Sequence, residues 1–384
     1  MAAEFDYVLV GGGLQNALLA LALRARAPGA RIALVEREAA LGGNHTWSFH
    51  EGDVPAAARE WVEPLVARRW ASYDVRFPGL ERTLRHAYAT IPSARVDSVV
   101  RERLDGAPGC EVITGRAAVE VGPRVVRLED GRALEGTLVV DARGPGRREA
   151  TGGAGFQKFV GLELRVEGRA APPRPVVMDA AVPQADGFRF VYVLPLAEDR
   201  VLVEDTYFSD TDRLERETLR ARALAYAEAK GLSPFSVVRE EEGVLPLPWS
   251  GPLPRPEGPP LLAGYAGGFF HPVTGYSFPV AARLASLLAS LPVERALGPE
   301  LRAFARRHRA QARFAHVLNW LMFQAYPPSS RWHVLERFYR EMPEGTIRRF
   351  YALDMTVRDR ARLLLGRPPR GFSFRLAWAH LQAA

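Results

Sequence analysis

Apolar residues along the chain follow two rhythms, and the chain switches between them several times. Phe5 to Val10 is a short apolar run and Gly11 to Gly13 a glycine turn. Leu14 to Arg26 then has helical spacing, and Arg31 to Glu36 is a second run. Strand, turn, helix and strand in that order predict a βαβ unit. Asp53 to His86 mixes Trp61, Trp70 and Tyr73 with charges and predicts a helix followed by loop or strand. A helix over Ala94 to Leu104 leads to short strands at Glu111 to Ile113, Ala117 to Glu120 and Val125 to Leu128. Leu138 to Val140, ending at Asp141, then reads as a second return to the first sheet. From Gly155 to Val244 the pattern alternates, at Phe159 to Val166, Phe188 to Leu194 and Val201 to Glu204, around a helix at Arg213 to Lys230. Such alternation predicts an antiparallel sheet, taken as the substrate domain. The proline-rich Leu245 to Pro260 reads as a linker. Leu261 to Ala263, a glycine-rich turn and a helix at Pro279 to Leu291 are expected to rejoin the first domain. Beyond Pro299 the chain reads as helices broken at Pro327 to Ser330, Pro343 and Pro368 to Pro369. No internal repeat is present.

Composition narrows the picture. The 384 residues are enough for two domains, or for one carrying inserted material. With 47% hydrophobic and 25% charged residues, global disorder is excluded. Cys110 is the single cysteine, which rules out an internal disulfide or a cysteine-rich zinc site and fits a reducing cytosol. Histidine spacing argues for no metal site. Met1 to Asp6 lacks a basic segment and cleavage site, so no signal peptide is expected. No stretch reaches the roughly 18 apolar residues of a spanning helix. The net charge of +7 is uneven, because Leu301 to Ala384 holds 16 arginines against 5 acidic residues. Together with Trp320, Phe323, Trp332, Phe372 and Trp378, this suits peripheral docking on an anionic bilayer. Basic helix faces and the general bias of 49 arginines to 2 lysines explain the same charge without a membrane. Nothing resembles a nucleic-acid-binding module, and no nucleic-acid partner is expected.

Chemistry enters at the first turn. Gly11, Gly12 and Gly13 reach a helix start, where a backbone without Cβ can approach a pyrophosphate and unpaired N–H groups favour its charge. Glu36 ends the next strand, placed to accept hydrogen bonds from ribose hydroxyls. Asn16 replaces the third glycine of the fingerprint, and the turn alone leaves flavin and nicotinamide both open.

Two later features favour flavin. Asp141, Ala142, Arg143 and Gly144 follow an apolar strand, and GYAGGFFHPVTG at Gly264 to Gly275 precedes a helix. Both resemble FAD contacts of the flavoproteins related to p-hydroxybenzoate hydroxylase and geranylgeranyl reductase. A narrower resemblance covers nearly the whole chain. GGNHTWSFH at Gly42 to His50, GFQKFVG at Gly155 to Gly161, MDA at Met178 to Ala180 and GFRFVYVLPL at Gly187 to Leu196 resemble bacterial lycopene β-cyclases. So do VEDTYFSD at Val203 to Asp210, FHPVTGYSFP at Phe270 to Pro279 and SRWHVLERFYR at Ser330 to Arg340.

The resemblance implies an α/β chain with a Rossmann-like FAD-binding domain, an inserted antiparallel substrate sheet and a C-terminal helical region. The expected divisions are 1–154, with 53–90 able to join the substrate layer, then 155–257, a return at 258–298, and a basic, membrane-proximal 299–384. It implies conversion of lycopene to γ-carotene and then β-carotene, with reduced FAD required although no electrons are transferred overall, and NAD(P)H as electron donor. Candidate cofactor contacts are Gly11, Gly12, Gly13, Leu14, Gln15, Asn16, Glu36, Arg37, His45, Asp141, Gly144, Gly267, Pro272, Gly275 and Tyr276. Trp47 and His271, in the same motifs, rank behind them.

Glu204 in the ED pair matches the family's essential acid. Period two sends Glu204 and Asp205 to opposite faces. In a hydrocarbon pocket, desolvation keeps Glu204 protonated and able to donate, and the same carboxylate can later accept a proton. A strand-end carboxylate bonded to a turn or an arginine is the structural alternative. Phe188, Phe190 and Tyr192 share a strand face, fit for cation–π contact or simply for a core. The competing activities are an isoprenoid reductase or monooxygenase on the same frame, and a flavin-holding scaffold without catalysis.

Overall fold

The computed structural model describes residues 3–144, 153–168, 170–250, 253, 255 and 258–383. In chain order, β1 (Phe5–Val10) leads through the glycine turn to α1 (Leu14–Arg26) and β2 (Ile32–Glu36). Next come β3 (Thr46–His50), α2 (Arg59–Val62), β4 (Arg68–Trp70), β5 (Tyr73–Phe77), β6 (Leu80–Leu84) and β7 (Tyr88–Pro92). The helix α3 (Ser93–Leu104) returns the chain to β8 (Cys110–Thr114), β9 (Ala118–Val121), β10 (Val125–Leu128) and β11 (Ala133–Asp141). The strands β12 (Ala154–Val166), β13 (Val176–Asp179), β14 (Phe188–Pro195) and β15 (Arg200–Ser209) follow, then α4 (Arg216–Ala229) and β16 (Phe235–Pro248). The last elements are β17 (Leu261–Leu262), α5 (Phe278–Ala289), α6 (Pro299–Gln324), α7 (Trp332–Glu341), α8 (Glu344–Tyr351), α9 (Val357–Leu364) and α10 (Phe374–Ala383).

The fold is α/β. In one sheet β8, β2, β1 and β11 run parallel, with β17 added on β11 and an antiparallel extension through β10 and β9. Its strands β1 and β2 are nearly continuous Val, Leu and Ile because both faces are covered. The helix α1 is apolar all round, and Ala17 to Ala20 are fully buried where it packs against α5 and α3. The Cys110 thiol is free and half-buried at the start of β8.

The second sheet has the order β16-β12-β15-β14-β13-β5-β6, antiparallel except where β13 meets β5. Period two separates its faces. Val160, Leu162, Val191, Val193, Val201, Val203 and Tyr207 form one core with Leu219, Ala223 and Tyr226 of α4. The other face carries Phe188, Phe190, Leu194, Leu202 and Phe208 into the main core, shared with the first sheet and the C-terminal helices.

Three details depart from the sequence reading. Asp53 to His86 is more strand than helix, and β5 and β6 cross over to complete the second sheet. Leu245 to Pro248 is no linker but the end of β16, paired with β12 down to Ala154. Because β16 is an edge strand, Pro246 and Pro248 can sit in it without breaking a ladder on the outer side. The C-terminal helices break once more than the prolines indicate, between α8 and α9, where Leu353 has φ of +52°.

Candidate functional site

Three segments distant in sequence meet at the C-terminal ends of β1, β11 and β17. Gly11 has φ of +94°, and a Cβ there would lie 3.0 Å from the Ala142 carbonyl oxygen. A Cβ on Gly264 would lie 3.5 Å from that of Gln15 and 3.7 Å from that of Ala142. The crevice beyond the carboxyl ends of parallel strands is where such sheets bind ligands. Gly13 caps α1 without a side-chain bond, and a Cβ there would meet nothing within 4 Å. The first N–H groups of α1, those of Leu14 and Gln15 among them, have no partner within the helix and lie at the positive end of its dipole.

The other candidates divide by what they already bind. Glu36 accepts from the Gly12 N–H at 2.7 Å, which places its carboxylate at the rim of the turn. Arg37 points to solvent and pairs with Glu38 at 3.1 Å. Asn16 is fully buried and donates to the Val10 and Gly11 carbonyls, both at 3.0 Å, so it locks the turn from behind. The Asp141 carboxylate is bridged by Arg143, with bonds of 2.9 and 2.7 Å. Gly144 follows Arg143 at the end of the described stretch 3–144, and a Cβ there would meet nothing within 4 Å.

In the late segment, Gly267 packs on Leu262 so closely that a Cβ would fall 2.2 Å from its carbonyl oxygen. Pro272 gives its carbonyl to Asn319 at 2.7 Å, and Gly275, with φ of +67°, gives its own to the Tyr265 hydroxyl at 2.7 Å. The Tyr276 hydroxyl donates to Asp53 at 3.0 Å, and Asp53 lies 3.4 Å from His50 Nδ1. His271 is a latch: its Nδ1 accepts from the Val273 N–H at 3.1 Å, so Nε2 carries the proton and donates to the Phe350 carbonyl at 2.9 Å. Burial pushes its pKa down to about 3, which keeps the ring neutral.

The second sheet places the candidate acid. In register, Tyr192, Glu204, Gly161 and Glu241 form one row across β14, β15, β12 and β16. The next row is Phe190, Thr206, Phe159 and Gly243, and the third is Phe188, Phe208, Gln157 and Leu245. All twelve share the face turned away from α4. The rings of Phe188, Phe190 and Phe208 lie 5.2 to 5.9 Å apart, an aromatic floor beside the acid row. Full burial of each contributes about 2–3 kcal/mol to stability.

The Glu204 carboxylate accepts from the Thr206 hydroxyl at 2.7 Å. Burial, then the nearby Glu241, push its pKa up to about 8. Asp205 points to the opposite face and pairs with Arg189 at 2.7 Å and with the Tyr207 hydroxyl at 2.8 Å. The alternation read from sequence thus separates a solitary acid from an ion-paired one.

Glu241 is the residue that sequence reasoning misses. It stands in the run Arg239–Glu240–Glu241–Glu242, which reads as a solvated face, yet it is only 3% exposed. Its Oε2 accepts from Arg239 at 2.6 Å and from Thr46 at 2.9 Å. The one available signal was period two, which puts Arg239 and Glu241 on one side of the strand.

Thr46 ends a strap that begins at the glycine turn, where the Gly42 N–H donates to the Gly12 carbonyl at 2.9 Å. Asn44 and Thr46 both accept from Arg239, at 2.9 and 2.7 Å. His45 lies between them, its pKa lowered by burial and raised in part by Glu241. Its ring approaches that of Trp47, centroids 6.1 Å apart. The strap therefore ties the glycine turn to the carboxylate row. A surface cleft lined by Leu21, Arg24, Trp61 and Glu102 contains none of these residues.

A family model described as lycopene cyclase protein matches residues 6–376. A lycopene beta-cyclase of Pantoea ananas is 39% identical over 96% of this chain and 96% of its own. One of Pseudescherichia vulneris is also 39% identical, over 98% and 97%. Among solved structures, a geranylgeranyl bacteriochlorophyll reductase-like protein of Thermoplasma acidophilum superposes with a TM-score of 0.63 at 13% identity, covering 99% of this chain and 98% of that one.

Proposed function

The chain belongs to the lycopene cyclase family, and from that premise we propose that it closes β-ionone rings on lycopene, with Glu204 as the proton donor and reduced FAD as cofactor. The carrying observation is the position of Glu204: a half-buried carboxyl whose pKa desolvation raises to about 8, in a row with tyrosine and a second carboxylate, beside an aromatic floor. The fold supports FAD through its likeness to the geranylgeranyl reductase frame, and the residues fit. The open N-terminus of α1 suits a pyrophosphate, Glu36 a ribose, and the Gly264 to Gly268 turn a close backbone approach. When bound, reduced FAD supplies an electron-rich ring that stabilises positive charge on the hydrocarbon.

Glu204 protonates the terminal double bond, which leaves a tertiary carbocation. The neighbouring alkene attacks it, a six-membered ring forms, and a ring proton is lost to a carboxylate. One proton enters and one leaves, so no electrons are consumed. The floor of Phe188, Phe190 and Phe208 excludes water that would quench the cation. Expression in a lycopene-accumulating host tests the reading, with cyclic carotene as the expected pigment. A reductase on the same frame would instead consume one hydride per double bond under anaerobic conditions, where the cyclase uses NAD(P)H only to reduce its flavin.

The pH dependence follows from the raised acid. Glu204 donates only while protonated, so kcat is expected to fall as pH rises through about 8 and to stay level from there down toward neutrality. Initial rates with flavin kept reduced across pH 6 to 10 check this.

Lycopene stays in lipid, so the pocket has to meet a membrane. None of the helices among the described residues is long and apolar enough to cross one. Of the five aromatics singled out, Trp378 is exposed, while Phe323 is buried, stacked on Trp249 and packed over Gly155. Exposed apolar side chains cluster instead at Val357, Leu364, Leu365, Phe374 and Trp378, among Arg358, Arg367, Arg370 and Arg375. This C-terminal patch is the docking surface in our reading. In flotation with anionic vesicles, a Phe374→Ser, Trp378→Ser double variant should bind roughly 10- to 100-fold more weakly than wild type. Equal binding would remove the patch from the account.

A further inference from the structure

Each ring closure takes a proton from the donor and releases one from the ring, and the donor has to recover a proton before the next turn. We propose that Glu204 and Glu241 share one proton across Gly161, so that Glu241 is the positioning partner through which the donor is kept charged with its proton between turnovers. The proposal rests on the cyclase reading above, but its test does not.

The geometry carries it. Glu204, Gly161 and Glu241 are register partners on three adjacent strands and face the same side. The Glu241 side chain leans over the middle strand toward Glu204, since a Cβ on Gly161 would lie 2.9 Å from its Cγ and 3.4 Å from its Oε1. Any residue larger than glycine would displace the Glu241 side chain from this position. The bonds from Arg239 and Thr46 are to Oε2, which leaves Oε1 as the oxygen over Gly161. Glu204, by contrast, has no arginine or lysine partner among the described residues, and it accepts from the neutral Thr206 hydroxyl.

One carboxylate with a fixed counter-charge and one without it, brought together away from solvent, cannot both ionise cheaply, so a single proton resides on the pair and favours the unpaired member. The groups facing Glu204 are Tyr192 on β14, Thr206 on its own strand and Glu241 with Arg239 on β16, with His45 of the strap beside Glu241. Asp205 faces the other way, against Arg189. Glu163, one row along on the same face, is paired with both Arg200 and Arg239, so Glu241 is the second carboxylate in the row of Glu204 itself.

The test is an infrared pH titration of the purified, flavin-loaded protein, following the protonated carboxyl band that Glu204→Gln removes. In Glu241→Gln, which keeps the volume and an acceptor for Thr46, the midpoint of that band should fall by at least one pH unit, a tenfold loss of proton affinity. The alkaline limb of the rate profile should move with it. Gly161→Ala, which displaces Glu241, should shift the midpoint the same way. Glu163→Gln, which alters another carboxylate bonded to Arg239, should leave it in place. A band and a rate profile unmoved in Glu241→Gln would overturn the proposal even if Gly161→Ala failed to fold. Failure of the wild type to make cyclic carotene would instead overturn the cyclase reading and leave the titration result standing.

Discussion

Glu204→Gln is expected to cut ring closure by about 10²- to 10⁴-fold, the usual worth of a positioned acid, while flavin remains bound and the fold becomes more robust in alkali. The gain in robustness follows from the sign of the shift. The folded-state pKa lies above the unfolded value of 4.5, so between there and about 8 the unfolded chain holds fewer protons than the native one. Stability contributed by this group is therefore complete below the unfolded value and is lost as pH rises through the folded one. Above it, a buried carboxylate costs on the order of 1–3 kcal/mol that glutamine does not. Thermal melts of the two proteins should nearly coincide at pH 5 and separate at pH 9, with the variant higher. Carotenoid chromatography and flavin absorbance supply the other two readouts. Substantial cyclisation by the variant would end the assignment.

The second large effect concerns the cofactor. Gly13→Glu should lower flavin affinity at least 100-fold while leaving the polypeptide folded. A Cβ at this position meets nothing, and its φ of −73° is open to any residue, so the substitution is sterically free. The new carboxylate would occupy the helix terminus that a pyrophosphate needs, and there it even favours the helix by about 0.5 kcal/mol. Gly12→Ala makes the useful contrast, because its Cβ would lie 2.5 Å from Leu41 Cδ2 and disturb the turn itself. Fluorescence titration with FAD and melting of the apoproteins separate the two cases. Normal flavin binding by Gly13→Glu would move the cofactor away from this turn.

How far the chain could be read in advance depended on whether each signal was local. The first βαβ unit and the alternating strands announce themselves because burial on one or both faces dictates residue type at fixed spacing, and Glu204 could be assigned a face from period two alone. Partnerships across strands could not be read. Glu241 looks solvated until register sets it against Gly161, and β5 joins β13 across about a hundred residues of sequence. Pro246 and Pro248 look like linker residues because proline is normally kept out of a ladder, and only the edge position of β16 removes that objection. Asn16 looks like a flawed glycine until its amide is seen holding two carbonyls. In each case the missing information was a neighbour distant in sequence.

The strap from Gly42 to Thr46 is fastened to the glycine turn at one end and to the Arg239–Glu241 pair at the other. In the proposed reading, nucleotide occupancy at the turn and the placing of Glu241 beside the proton donor therefore become one variable. On that reading a chain that loses its nucleotide forfeits the stabilisation that a ligand confers by mass action. In a cell short of flavin, empty copies would fall to proteases rather than accumulate as idle enzyme, and ring-forming capacity would follow vitamin supply more steeply than affinity alone dictates.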